Sequence, residues 1–167
     1  MSGSIKDKVA IVGMGCTKFG ELWDKGAEEL LIEAAYEAFE DAGIEPKDIQ
    51  AAWLGTQNQM SGQVLARAIK TEYIPITRVE NFCATATDAL MNACFAVVAG
   101  VYDIVLVAGV EKLKDSGVGY LTGGGGQPSA ETAPPVPPPA QFALAANRYF
   151  HQYGLSYEEG KRLLAMI

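Results

Sequence analysis

Residues 83–99 constrain the fold of this chain more than any other stretch. Asp88 is the only charged side chain there, set among Ala84, Ala86, Ala89, Leu90, Met91, Ala93, Cys94, Phe95, Ala96, Val97 and Val98, with Thr85, Thr87 and Asn92 as the other polar groups. A helix that is apolar nearly all round is expected to be buried nearly all round, so other layers must cover it. Short strand-like runs flank it at residues 77–81 and 103–110, and the second (DIVLVAGV) is the most convincing strand in the sequence. Parallel strands need such a crossover to be joined.

The alternation extends toward the N-terminus. Residues 8–13 (KVAIVG) read as a short buried strand ending in glycine. Residues 27–41 place Leu30, Leu31, Ala34, Ala35 and Ala38 at helical spacing, interleaved with Glu28, Glu29, Glu33, Glu37 and Glu40, and Gly43 follows as a C-terminal cap. A second strand is expected at 51–55 and a second helix at 62–70. The order β-α-β-α-β-α-β predicts an α/β fold with a mostly parallel sheet covered by helices on both faces.

Composition then changes. Residues 122–139 (TGGGGQPSAETAPPVPPP) are dense in Gly and Pro and read as a linker. Two helices are expected beyond it, at 139–153 and from Ser156, where Ser156-Tyr157-Glu158-Glu159 forms an S-x-x-E capping box. The domain expectation is therefore an α/β core at 1–121, a linker at 122–139, and the start of a helical domain at 140–167. A helix opened by so definite a cap and reaching Ile167 without a stop signal is expected to belong to a longer chain.

With 167 residues and 49% hydrophobic content the chain can bury one core. Lys and Arg number 13 against 20 Asp and Glu, a formal charge of −7, so there is no basic surface to neutralise nucleic-acid phosphates. No run approaches the ~20 apolar residues of a membrane span, and the polar start MSGSIKDK does not resemble a signal peptide. A cytoplasmic protein that binds neither nucleic acid nor membrane is expected. Its three cysteines are expected to be thiols.

Cys83 is the strongest candidate for chemistry. It stands where a short strand turns directly into the apolar helix, and the positive end of a helix dipole together with unpaired N–H groups favours a nucleophilic thiolate. Cys94 follows eleven residues later, roughly 16 Å along the same helix, too far to share a disulfide or a metal; it reads as core. Cys16 reads as a loop residue. Gly13-Met14-Gly15 begins a dinucleotide fingerprint that fails at Lys18, and neither a G-K-[ST] nor a G-x-S-x-G motif exists. His151, the single histidine, reads as a solvated residue on an amphipathic helix. No convincing base accompanies Cys83, as nucleophilic catalysis requires.

The segment Val79-Glu80-Asn81-Phe82-Cys83-Ala84-Thr85, the run from Val105 through Ala108-Gly109-Val110-Glu111-Lys112, and the opening Val9-Ala10-Ile11-Val12-Gly13 with Thr17-Lys18-Phe19-Gly20 together resemble the thiolase superfamily. The sterol-carrier-protein-type and archaeal-type acetyl-CoA acetyltransferases are the nearer branch. The likeness covers essentially the whole chain, with residues 142–167 similar to the start of the thiolase loop domain. It implies that this is the N-terminal half of an acyltransferase in which Cys83 is acylated by a coenzyme A thioester. It further implies an acyl-CoA or acetyl-CoA substrate, no permanently bound cofactor or metal, a place in lipid metabolism, and a homodimer or higher oligomer meeting near residues 77–81. The family's second half supplies a Gly-His-Pro histidine, part of the oxyanion hole and usually a second cysteine, so the isolated chain is expected to be inactive. Glu80 and Ala86 stand near positions where relatives commonly carry Asn and Gly. Two other readings share the resemblance: an aldolase acting on β-hydroxyacyl-CoA of steroid side chains with an OB-fold, zinc-ribbon-type partner, and a non-enzymatic acyl-CoA- or lipid-binding or assembly subunit.

Overall fold

The computed structural model describes residues 4–57, 61–113 and 137–167, and the chain divides into two units, Met1–Asp115 and Ser116–Ile167. In the first unit the order is α1 (Ala27–Ala42), a 3-10 turn (Pro46–Asp48), β1 (Ala51–Gly55), α2 (Gln63–Ile69), β2 (Ile76–Val79), a 3-10 turn (Phe82–Ala84), α3 (Thr85–Val98) and β3 (Val105–Gly109). The three strands form one parallel sheet in the order β2-β1-β3.

Alternation along β1 sorts the helices onto two faces. Ala52 and Leu54 join Leu31, Ala35 and Phe39 of α1 and Leu65, Ala68 and Ile69 of α2 in one buried cluster. On the opposite face Gly55 lies against Thr85 at the start of α3. The expected α/β layering is thus the one that forms. Leu54, Leu65 and Ile69 are fully enclosed, and burying each such aliphatic side chain is worth roughly 1.5–3 kcal/mol.

Helix α1 forms because Leu31, Ala35 and Phe39 recur at four-residue spacing on its buried face. Glu28 and Glu29 sit in its first turn, where the dipole favours them, and Glu29 Oε2 accepts from Gly26 N–H at 3.0 Å. Gly43, at φ 68°, ends it by donating to Glu40 O, while Ile44 N–H reaches back to Phe39 O.

Two expectations are corrected. Residues 8–13 form no strand and pair with no strand among the described residues. A β-branched apolar run alone makes no strand without a neighbour to complete the ladder. The N–H groups of Met14 and Cys16 go instead to carboxylates of α1, Asp41 at 3.0 Å and Glu37 at 2.8 Å. Gly13 and Gly15 explain themselves here, since a Cβ on either would lie 2.4 Å from Ala38 O or 2.0 Å from Ala34 O. Their role is close approach to a helix, not to a dinucleotide. Between this segment and the outer edge of β3 lies a groove of about 650 Å³, walled by Ala34 and Ala38 of α1 and by Leu90, Ala93 and Cys94 of α3.

The second correction concerns α3. Only Ala89 and Ala93 are buried, while Leu90, Met91 and Phe95 are more than two-fifths exposed. The sheet covers one face of this helix, and no described element covers the other.

In the second unit α4 (Pro138–Gln152) and α5 (Tyr157–Leu164) form a helical hairpin in which Phe150 packs on the bare surface of Gly160. Residues 122–136 of the expected linker lie outside the described residues; its last two prolines, Pro138 and Pro139, belong to the first turn of α4, where a missing N–H costs nothing. The capping box forms as expected. Ser156 Oγ accepts from Glu159 N–H at 3.3 Å, and Glu159 Oε2 accepts from Ser156 N–H at 2.9 Å and from its hydroxyl at 2.6 Å.

Two measurements follow from these bonds. Val110 N–H donates to Gly55 O, so by alternation Leu106 and Ala108 face β1 while Val105 and Val107 face outward. Amide exchange followed by NMR is expected to show protection at Leu106 and Ala108 and fast exchange at Val107; equal protection would mean that the outer edge is paired. The Ser156 hydroxyl and N–H hold the Glu159 carboxyl below its ordinary value of 4.5. A depressed carboxylate contributes stability above its unfolded pKa and loses it as pH falls through the folded one. The helicity of α5 is therefore expected to drop below about pH 4.5, and Glu159→Gln, followed by circular dichroism, is expected to remove that step.

Candidate active site

The register places Val79, Gly55 and Gly109, the carboxyl ends of β2, β1 and β3, in one row. The connection β1-α2-β2 winds outward to one side, and β2-α3-β3 returns across β1 with its helix on the other face. The crevice outside the strand ends at such a reversal is where open α/β sheets hold ligands. Three backbone exits meet there.

The exit from β1 is clamped. Thr56, only 2% exposed, donates its hydroxyl to Glu111 Oε1 at 3.1 Å, and Gln57 N–H donates to the same oxygen. From the other side Arg78 of β2 donates through Nε to Thr56 O at 3.2 Å and through Nη2 to Gln57 O at 2.8 Å. Opposite charges, one on β2 and one just past the end of β3, thus fix the peptides that leave the central strand. Sequence reasoning did not single out Thr56 or Arg78, and Glu111 entered only as part of the resemblance. The available signal was modest: a carboxylate just past the glycine-ended β3, and an arginine in a short apolar strand.

The exit from β2 carries Cys83. Asn81 has φ −152° and ψ 48°, and Phe82 sits at φ +49°, in the left-handed region. A bulky residue there costs on the order of 1–3 kcal/mol and persists only where surrounding bonds hold it. The chain then makes the 3-10 turn Phe82–Ala84 and enters α3 at Thr85. Cys83, in the middle of that turn, is exposed. The expected position at a strand-to-helix switch is the one it occupies, with the helix beginning two residues later than expected.

The remaining candidates are elsewhere. Cys94 lines the groove beside β3 and Cys16 is exposed in a loop, its Sγ donating to Thr17 O at 3.4 Å. His151 is exposed on α4, in the second unit. Among the described residues no cluster of His, Cys, Asp or Glu is arranged to hold a metal, and no helix is long and apolar enough to cross a membrane.

Residues 9–122 match the family model for the thiolase N-terminal domain. The chain belongs to the thiolase family. Over 160 residues this thiolase-family chain is 38% identical to an acetyl-CoA acetyltransferase of Methanocaldococcus jannaschii, covering 90% of the chain and 41% of that enzyme. It is 30% identical over 166 residues to a steroid side-chain-cleaving aldolase of Thermomonospora curvata, covering 92% of the chain and 42% of the aldolase. Among solved structures it is similar to an Ltp2-ChsH2(DUF35) aldolase, with a TM-score of 0.62 and 25% identity over 88% of this chain and 39% of that one. The thiolase-family chain therefore spans about two-fifths of the length of these relatives.

The clamp on β1 is open to a direct test. Glu111→Ala removes a charged acceptor from the buried Thr56 hydroxyl and the Gln57 amide, and is expected to cost about 1–3 kcal/mol. Urea unfolding measures it; an unchanged midpoint would show that the Thr56 and Gln57 peptides do not depend on Glu111.

Proposed function

We propose that this chain is the N-terminal part of a CoA-dependent thiolase, an acyl-CoA acetyltransferase in which Cys83 is the nucleophile. What carries the reading is an exposed thiol, presented by a left-handed residue at the start of α3 and on the carboxyl edge of the sheet, in a chain 38% identical to an acetyl-CoA acetyltransferase. The sulfur of Cys83 attacks the carbonyl carbon of an acyl-CoA. The thioester bond to CoA breaks, the CoA thiolate leaves, and the acyl group remains on the sulfur. In the synthetic direction the α-carbanion of a second acyl-CoA, left when a base takes its α-proton, attacks the acyl carbon and the Cys83 thiolate is released; in the degradative direction Cys83 attacks the keto carbon of a β-ketoacyl-CoA, the C–C bond breaks, its electron pair leaves on acetyl-CoA and takes up a proton, and CoA then takes the shortened acyl group from the sulfur.

The thiol proton must go to a base before attack. The thiolase resemblance makes the base a Gly-His-Pro histidine, a motif these 167 residues do not contain, so the reading assigns the base to a longer protein of which these residues are part, and the 167-residue chain alone is expected to be inactive. The same reading includes a cytoplasmic location and a homo-oligomer assembled through the outer edge of β2, near residues 77–81.

A second reading is favoured by the two aldolase relatives: retro-aldol cleavage of a β-hydroxyacyl-CoA with no acyl-cysteine, supported by a DUF35-type partner such as the one in the similar aldolase complex. One experiment separates the two. After incubation of the intact protein with acetyl-CoA, the peptide containing Cys83 is expected to be heavier by one acetyl group, and Cys83→Ala is expected to abolish both label and turnover. An unlabelled peptide together with an active Cys83→Ala protein would overturn the thiolase reading in favour of the aldolase.

A further inference from the structure

The turn that presents Cys83 is held by side chains, with one hydroxyl at its centre. Thr85 Oγ1 accepts from Asn81 N–H at 2.8 Å and donates to Phe82 C=O at 2.7 Å. Glu80 Oε1 accepts from Phe82 N–H at 2.8 Å. Both polar groups of the left-handed residue are therefore bonded to side chains, and that is what a bulky residue at φ +49° requires to stay there.

Thr85 also reaches away from the turn. A Cβ built on Gly55 would lie 3.0 Å from Thr85 Cγ2, tighter than ordinary packing, and its other neighbours would be at a relaxed 3.8 Å. The methyl of Thr85 thus rests on the bare backbone at the end of β1, the central strand, while its hydroxyl closes the Phe82 turn. Serine would keep the hydroxyl and lose the seat; valine would keep the seat and lose the hydroxyl.

We propose that Thr85 is a positioning residue for Cys83, a latch that transfers the rigidity of β1 to the turn carrying the thiol. It deepens the proposed function and rests on Cys83 being the nucleophile. Thr85 touches no reacting group in this role. It acts by holding Phe82 in the left-handed region, and so holds the first turn that leads into α3 under the thiol.

Cys16 supplies an internal reference, since it is exposed and remote from the turn in sequence. The readout is the iodoacetamide alkylation rate of Cys83 divided by that of Cys16, measured peptide by peptide in the same molecule. Losing the hydroxyl in Thr85→Val is expected to lower this ratio roughly fivefold, as one hydrogen bond's worth of positioning implies. Thr85→Ser, which keeps that bond and loses the methyl seat, is expected to lower it by a smaller factor, roughly twofold. Gly55→Ala is expected to lower the ratio in the native background and to have no effect in the Thr85→Ser background, where the methyl it would strike is gone. A merely structural role would instead speed alkylation of all three cysteines together.

An unchanged ratio in Thr85→Val, a parallel rise at all three cysteines, or a Gly55→Ala effect that persists with serine at 85 would each overturn the proposal. If Thr85→Val fails to fold, the Gly55→Ala pair decides alone. Alkylation needs no acyl-CoA, so the two failures are distinguishable: a missing acetyl label with the expected ratio change defeats the thiolase reading and leaves the latch, and the reverse defeats only the latch.

Discussion

Strand β1 is hydrogen-bonded along both edges, to β2 and to β3, and it is covered on one face by α1 and α2 and on the other by the start of α3. Every other part of the first unit is located by reference to it. The two-sided pairing lines up Val79, Gly55 and Gly109, and that row brings the three exits together. Short, uncharged and made of Ala51, Ala52, Trp53, Leu54 and Gly55, the strand has room for helices to approach on both sides. Small residues at the centre of a sheet let the layers above and below sit close.

Much of this layering was legible in the sequence, because it depends on local periodicity. The bounds of β1 match those expected, and α2, β2 and β3 fall within a few residues of theirs. Where the reading failed, the missing information was a neighbour. The apolar run at 8–13 has the composition of a strand, but composition does not say what lies beside it; just past it the amides of Met14 and Cys16 end on Asp41 and Glu37 of α1. The apolar surface of α3 likewise promised burial on all sides, and only the side facing the sheet receives it.

The candidate site divides along the same line. Cys83 stands out as a candidate in the sequence, since a thiol between a strand and a nearly uncharged helix is a local pattern. Its supports do not. Arg78 and Glu111 meet the backbone of Thr56 and Gln57 only because the parallel register aligns the ends of three strands. Thr85 reads as one more threonine in a helix until Gly55 is seen beneath its methyl. Lys18 rules the glycine pair at 13 and 15 out as a dinucleotide fingerprint, and the structure shows its use, a packing device against the carbonyls of Ala34 and Ala38.

The left-handed Phe82 has a consequence for when the thiol becomes ready. Its hydrogen bonds to Glu80 and Thr85 are local, but its support also includes the seat of Thr85 on β1, which the chain reaches only after it has gone out through α2 and returned through β2. Contacts so distant along the chain form after the local ones, since the intervening loop must first be closed. A nascent or partly collapsed chain would therefore hold Cys83 in an ordinary, unpresented backbone. The geometry that fixes the place of the Cys83 sulfur is acquired with the completed sheet, so a chain with unfinished surfaces holds that thiol in no defined position.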